Sequence, residues 1–416
     1  MNVEKPQESK KPEKIGRPGI FTGLRKNVLI FGAVSFLNDA ASEMIYPLLP
    51  VFLTRVLKAG PAALGVIEGI AESTASLLKL VSGYLSDRVR RRKPWVVGGY
   101  LLSNATRPLI GLVATWPAVL TLRFFDRVGK GVRTSPRDAM IAESTPPEYQ
   151  GKAFGFHRTA DHAGAVVGPL IATLLLISLA ADLRTIFLLS LIPGILTVAL
   201  LWVGVRETPR PEVSGETQSE PVHPFKAWRE IPPTLHRFFL ILLLFTLGNS
   251  SDAFLLLKAQ ETGIAVALLP LLWVVLHLVK MASAMPAGIA SDRRGRKGMI
   301  VGGWLIYAAT YAGFIVADSP WQIWVLFAVY GLHFGLTEGP ERALIADLAP
   351  AHLRGSIYGL YHLTMGIGML PASILFGWVW QTFGAGAAFG MGALLALAAA
   401  WGMWRLPVGN RNSRSD

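Results

Sequence analysis

The chain contains no cysteine. That excludes disulfides, thiolate metal sites and cysteine nucleophiles. Charge is also scarce: 16% of the 416 residues are Asp, Glu, Lys or Arg, against about 25% in soluble domains. Acidic residues are the rarer sign, 27 against 40 basic ones, for a formal net charge of +13. No Gly-x4-Gly-Lys-Ser/Thr loop is present, and Gly129-Lys130-Gly131 lacks its spacing, so nothing supports ATP-driven work by this chain alone. No His-Glu-x-x-His motif or Ser/His dyad marks an intramembrane protease. An enzyme is not expected, and neither is a cofactor. Short segments of alternating polarity are also lacking, which argues against a transmembrane β-barrel.

What the chain has is apolar bulk. Hydrophobic residues make up 52%, with 12 Trp and 20 Phe, and the mean hydropathy is +0.43. Disorder, collagen-like repeats and a disulfide scaffold are excluded for the whole chain. A bilayer core needs about 20 mostly apolar residues per helix. Candidate spans fall at 27–54, 61–86, 94–115, 117–143, 151–179, 184–205, 236–258, 263–289, 298–317, 321–348, 355–380 and 384–405. The expected fold is therefore an all-α integral membrane protein of about twelve helices. Its immediate partner is the lipid bilayer.

Basic residues set the expected orientation. They crowd the N-terminal tail, the second-to-third connection (Arg88, Arg90, Arg91, Arg92, Lys93) and the eighth-to-ninth (Arg293, Arg294, Arg296, Lys297). A twelve-span chain puts all of these on one side, so both termini are expected to be cytoplasmic and the membrane to be the inner one. The net positive charge then reports cytoplasmic loops rather than nucleic-acid binding. No small-residue cleavage site follows a short apolar stretch near the start, so no cleaved signal peptide is expected. The expected organisation is a basic disordered tail at 1–24, a six-helix half at 25–206, a Pro-rich linker at 207–233, a second half at 234–406 and a tail at 407–416.

The halves resemble each other. Ser86-Asp87-Arg88 recurs as Ser291-Asp292-Arg293. The Pro136–Glu143 segment recurs as Pro340–Asp347, and the Gly151/Gly155 pair as Gly355/Gly359. The offset is nearly constant. Parallel six-helix repeats are a transporter architecture with the solute site between them near the midplane.

These segments resemble the major facilitator superfamily. Its loop signature, Gly-x-x-x-Asp-Arg-x-Gly-Arg-Arg/Lys, is complete at Gly288, Asp292, Arg293, Gly295, Arg296 and Lys297. The first copy has Gly83, Asp87, Arg88, Arg91 and Arg92, but Arg90 stands where Gly is expected. The resemblance implies that these loops gate the cytoplasmic side. The fifth span also resembles the proton-coupled antiporters of that superfamily, which carry Gly-x8-Gly-x3-Gly-Pro-x2-Gly-Gly. Gly155, Gly164, Gly168 and Pro169 match, whereas Ala172 and Thr173 replace the last two glycines. The competing reading is ordinary close helix packing by small residues.

Ionisable residues inside a membrane are costly and mark functional positions by default. The first span holds Asp39 and Glu43 on one face, and the fourth carries Arg123, Asp126, Arg127, Lys130 and Arg133. By helical rise, Glu43 and Arg127 lie at similar depth, about 15 Å from the outer ends of their spans. Pairing between these two helices is therefore expected, with a purely structural ion network as the alternative. In the second half, Asn249, Asp252, Glu338 and His362 are the candidate solute or proton residues. The leading expectation is a proton-coupled efflux antiporter of a small solute, monomeric, working by alternating access. The alternatives are an organic-anion uptake symporter clamping its substrate with Arg127, Lys130 and Arg133, or a divalent-metal transporter using Asp39, Glu43, Asp252 and a histidine.

Overall fold

A computed structural model describes residues 24–88, 91–146, 150–207, 228–350 and 354–407. Apart from their inner edges, the tails and the Pro-rich linker expected from sequence lie outside the described residues, as does Arg90. Among the described residues the chain is helical, without strands. The first half comprises α1 (Lys26–Glu43, continued by irregular turns to Val56), α2 (Pro61–Arg88), α3 (Lys93–Leu109), α4 (Trp116–Glu143), α5 (Gln150–Ser178) and α6 (Leu183–Leu189 with Leu191–Gly204). The second comprises α7 (Pro233–Gly248 with Ala253–Glu261), α8 (Leu269–Arg294), α9 (Arg296–Val316), α10 (Pro320–Leu348), α11 (Arg354–Phe383) and α12 (Ala385–Arg405). Eight of these spans are long and apolar enough to cross a membrane. Those outside that set are α2, α3, α4 and α10; α3 is 17 residues long, and the other three carry much of the charge.

Local chemistry explains several boundaries. Proline opens α2, α7 and α10, where its missing N–H would have no helical partner. Ser319 and Gln322 form a capping box at the start of α10. Gly295, between α8 and α9, has φ +95°, a left-handed conformation that glycine adopts without a Cβ clash. Two spans read as continuous from sequence are broken. In α1, the regular helix stops at Glu43 ahead of Pro47 and Pro50. In α7, Asn249-Ser250-Ser251-Asp252 interrupts the helix; such short polar side chains compete for backbone hydrogen bonds.

The packing partners repeat. In the first half α1 lies on α5 and α6, α2 on α4, and α3 on α4 and α6. In the second, α7 lies on α11 and α12, α8 on α10, and α9 on α10 and α12. The two sets join through antiparallel pairs, α2 with α11 and α5 with α8. The α2–α11 seam is close enough that a Cβ on Gly65 would meet the Ser373 carbonyl at 2.2 Å, and one on Gly377 the Pro61 carbonyl at 2.6 Å. Small residues permit this approach of backbones.

The face carrying the chain ends is termed here the terminal face, and the other the distal face. Among the described residues, hydrogen bonds between the halves lie at mid-depth or toward the distal face. Tyr46 meets Ser251 at 3.3 Å, Thr54 meets Gln260 at 3.0 Å, and Ser73 donates to the Gly366 carbonyl at 2.6 Å. The first two pairs join residues 205 and 206 apart, close to the repeat offset. Residues on a two-fold axis meet their own equivalents, so these contacts mark the pseudo-symmetry axis where it leaves the distal face. Toward the terminal face the halves part, and the Asp138 and Glu338 side chains are 42% and 40% exposed.

Candidate functional site

Helix α4 carries a cationic stripe. A Cβ on Gly129 would meet the Gly99 carbonyl of α3 at 2.5 Å, and one on Gly131 would meet Leu78 of α2 at 2.5 Å. The α4 side chains therefore reach α2 and α3 first. Arg123 binds Glu68 through Nη2 at 2.6 Å and Nε at 3.1 Å. Arg127 pairs with Glu72 at 3.0 Å. Arg107 of α3 donates to Asp126 at 2.8 Å and to the Asn38 side chain at 3.0 Å. Arg133 stacks on the Tyr100 ring at 4.2 Å and donates to Ser103 at 2.6 Å. The α1–α4 pairing expected from depth is thus replaced by pairing of α4 with α2 and α3. Equal depth does not reveal which neighbour is closest, and α1 packs on α5 and α6 instead.

Asp39 and Glu43 are half-buried and, among the described residues, no Lys, Arg or His nitrogen lies within ion-pair distance of either. Asp39 accepts from Asn38 at 2.9 Å. Glu43 accepts from Ser42 at 3.1 Å and, from the other half, from the indole N–H of Trp273 at 2.8 Å. Lys130 is within electrostatic range of both carboxylates. Asp161 of α5 accepts from Ser35 and lies 3.6 Å from His157 and 3.8 Å from Arg158.

The second half uses aromatic groups where the first uses ions. Phe245 stacks on Trp304 at 4.5 Å and Tyr307 on Tyr311 at 4.1 Å. Asn249 and Asp252 sit in the break of α7, and Asp252 accepts from Tyr330 at 2.6 Å. Glu338 pairs with Lys280 at 2.6 Å, and Lys280 also lies over Phe334. His362 packs beside Tyr361, with Lys79, Arg158 and Arg342 in electrostatic range. Glu341 is buried and takes donors from Trp304 and Tyr361. Among the described residues no group of three acidic or histidine side chains is placed to hold a metal ion.

Sequence reasoning missed Tyr46, Trp273 and Tyr330. Each sits in an apolar run that reads as core, and only the partner across the interface gives it a polar task. Other expectations are met in geometry. A Cβ on Gly164 would meet the Phe36 carbonyl at 2.3 Å, and one on Gly168 the Ala40 carbonyl at 2.4 Å, so both let α5 lie against α1. Pro169 lies within α5, whereas Gly155 has open space around it.

At the loop motifs, the described side chains act within each half. Arg296 pairs with Asp292 and, at 3.4 Å, with Asp347. Arg92 pairs with Glu143. Both the Arg92–Glu143 and Arg296–Asp347 pairs span 51 residues, so each half ties the start of its third helix to the end of its fourth. Gly288 lies in α8 with open space around it, Arg293 is in the last turn of α8, and Arg91 is exposed. Gly83, Asp87 and Arg88 end α2, and their side chains lie outside the described residues.

Comparison with known proteins gives the family. The Major Facilitator Superfamily model matches residues 31–279 and 238–416. An uncharacterised MFS-type transporter of Methanocaldococcus jannaschii is 36% identical over 364 residues, covering 86% of this chain and 89% of that protein. The multidrug resistance protein MdtH of Yersinia enterocolitica is 32% identical over 149 residues, covering 36% of this chain and 37% of that one. Among solved structures, a bacterial homologue of the human lysosomal transporter Spinster, inward-facing and unoccupied, aligns with TM-score 0.69 at 18% identity, covering 91% and 94% of the two chains. A repeated helix-packing scheme, charge held at mid-membrane depth and a family match over nearly the whole length lead to one conclusion: the chain belongs to the major facilitator superfamily and is a membrane transporter rather than an enzyme.

Proposed function

We propose that this transporter is a proton-coupled exporter of a small organic solute, working by antiport in the inner membrane with both termini in the cytoplasm. The observation that carries the reading is the asymmetry among its carboxylates. Glu68, Glu72 and Asp126 are each tied to an arginine. Asp39 and Glu43 are half-buried in the same layer with only neutral donors. A carboxylate held by an arginine stays ionised, whereas one in a partly dry cleft without a cation is free to exchange a proton. With the termini cytoplasmic, the parted face is the inner one and the described state is inward-facing. The α1–α5 contact at Gly164 and Gly168, and the partial likeness to a multidrug resistance protein, support export.

Arg127 and Arg133 are engaged by Glu72, Tyr100 and Ser103, which leaves the anion-clamp reading with Lys130 alone. The test is flux in proteoliposomes. Asp39→Asn and Glu43→Gln are expected to retain solute exchange, and the one that replaces the carrier should lose accumulation driven by a pH gradient. Normal gradient-driven transport in both variants would move the proton site elsewhere, with Asp161, Asp252 or Glu338 next.

A further inference from the structure

We infer that Trp273 is a positioning residue. Its indole N–H holds the Glu43 carboxylate across the two halves and thereby keeps the distal face shut while the carrier is empty. This rests on the reading of Glu43 as a coupling carboxylate and adds what controls it. Three observations converge on this contact. The first is its direction: Trp273 is on α8 and Glu43 on α1, and their 2.8 Å bond bridges the halves. The second is its place in the helix: Glu43 is the last residue of regular α1, so it sits at the joint between that helix and the irregular segment Tyr46–Val56. The third is continuity with the seal: the Trp273 ring lies 5.0 Å from that of Tyr46, whose hydroxyl meets Ser251 at 3.3 Å. Thr54 and Gln260 close the same seam further out.

A buried indole N–H requires an acceptor, and a carboxylate is a stronger one than a neutral group. Parting the distal ends of α1 and α8 strips this donor from Glu43. The empty, ionised carrier is therefore held shut on the distal side. A solute group that engages Glu43 from the cleft competes with Trp273 and releases the joint. That order suits exchange, because an antiporter must not return empty.

The chain has no native cysteine, so introduced pairs report without background. Thr54→Cys with Gln260→Cys reads closure of the distal face, and Leu80→Cys with Gly359→Cys reads the terminal side of the α2–α11 seam. In these backgrounds Trp273→Phe, which keeps the ring and removes the donor, is compared with Glu43→Ala and the double variant. Loss of a hydrogen bond to a charged acceptor should shift the ratio of open to closed distal face about tenfold in either single variant. The double variant should shift it no further, because both remove one interaction. Trp273→Phe should also pass protons without solute, whereas Trp273→His, which restores an N–H donor, should recover distal cross-linking. Wild-type distal cross-linking in Trp273→Phe, or additive effects in the double variant, would overturn the inference. Cross-linking is read without transport, so a normal pH-driven flux in Glu43→Gln would remove the proton role of Glu43 and leave the latch measurement standing.

Discussion

At the residue scale, each charge in the first half is defined by its partner. The Glu68 side chain is fully buried against Arg123, whereas that of Glu72 is 26% exposed beside Arg127. Removing one member of a buried pair strands the other and costs about 3–5 kcal/mol. Glu68→Ala is therefore expected to lower the thermal midpoint of detergent-purified protein by several degrees. Water can reach Arg127, so Glu72→Ala should cost about 1 kcal/mol. Equal midpoints for the two variants would mean that burial does not rank these pairs. The same logic separates Asp39 and Glu43, whose neutral donors can be given up at less cost than a buried arginine.

At the scale of helices, glycine sets how closely elements meet. The Gly168 position faces the Ala40 backbone, which has no flexible side chain to move aside. Gly168→Val should force α5 away from α1, with an overpacking cost of about 1–3 kcal/mol or more. Reduced yield and a lower thermal midpoint would register it. Gly155→Ala, with nothing within 4 Å of the added Cβ, should match the parent in both measurements. The breaks in α1 and α7 belong to this scale too. They occur at repeat-related positions and bring Tyr46 and Ser251 together, so the distal seal is made where the helices stop being regular.

At the scale of the molecule, two halves of different chemistry share one packing scheme, ionic on the α2–α4 side and aromatic on the α7–α10 side. Alternating access then requires the distal seam to open as the terminal face closes. Asp87→Ala is expected to shift that balance, and cross-linking yields on the two faces would report it. Unchanged yields with lost transport would remove the latch role of the motif. Orientation is tested by an accessibility tag within 207–233, which should label from the cytoplasmic side alone. Labelling from the opposite side would reverse the reading of the basic loops.

Much of the architecture is legible in the residues themselves. Apolar runs long enough for a bilayer, the repeat near offset 204 and the loop motif together imply the helices, the duplication and the family. The composition also shows that the charge inside the membrane is concentrated on α1, α2, α4 and α5. Which charges pair was not legible. Periodicity places Arg127 and Glu43 at one depth, but only the crossing of α4 with α2 and α3 decides that Arg127 meets Glu72. The task of Trp273 was hidden for the same reason. In sequence it is one tryptophan in an apolar helix, and its acceptor, 230 residues away, comes into reach only when the halves dock. Helix formation depends on neighbours in the chain and on the solvent, so composition determines it. Side-chain partners depend on angles and separations between helices, so only the tertiary structure decides them.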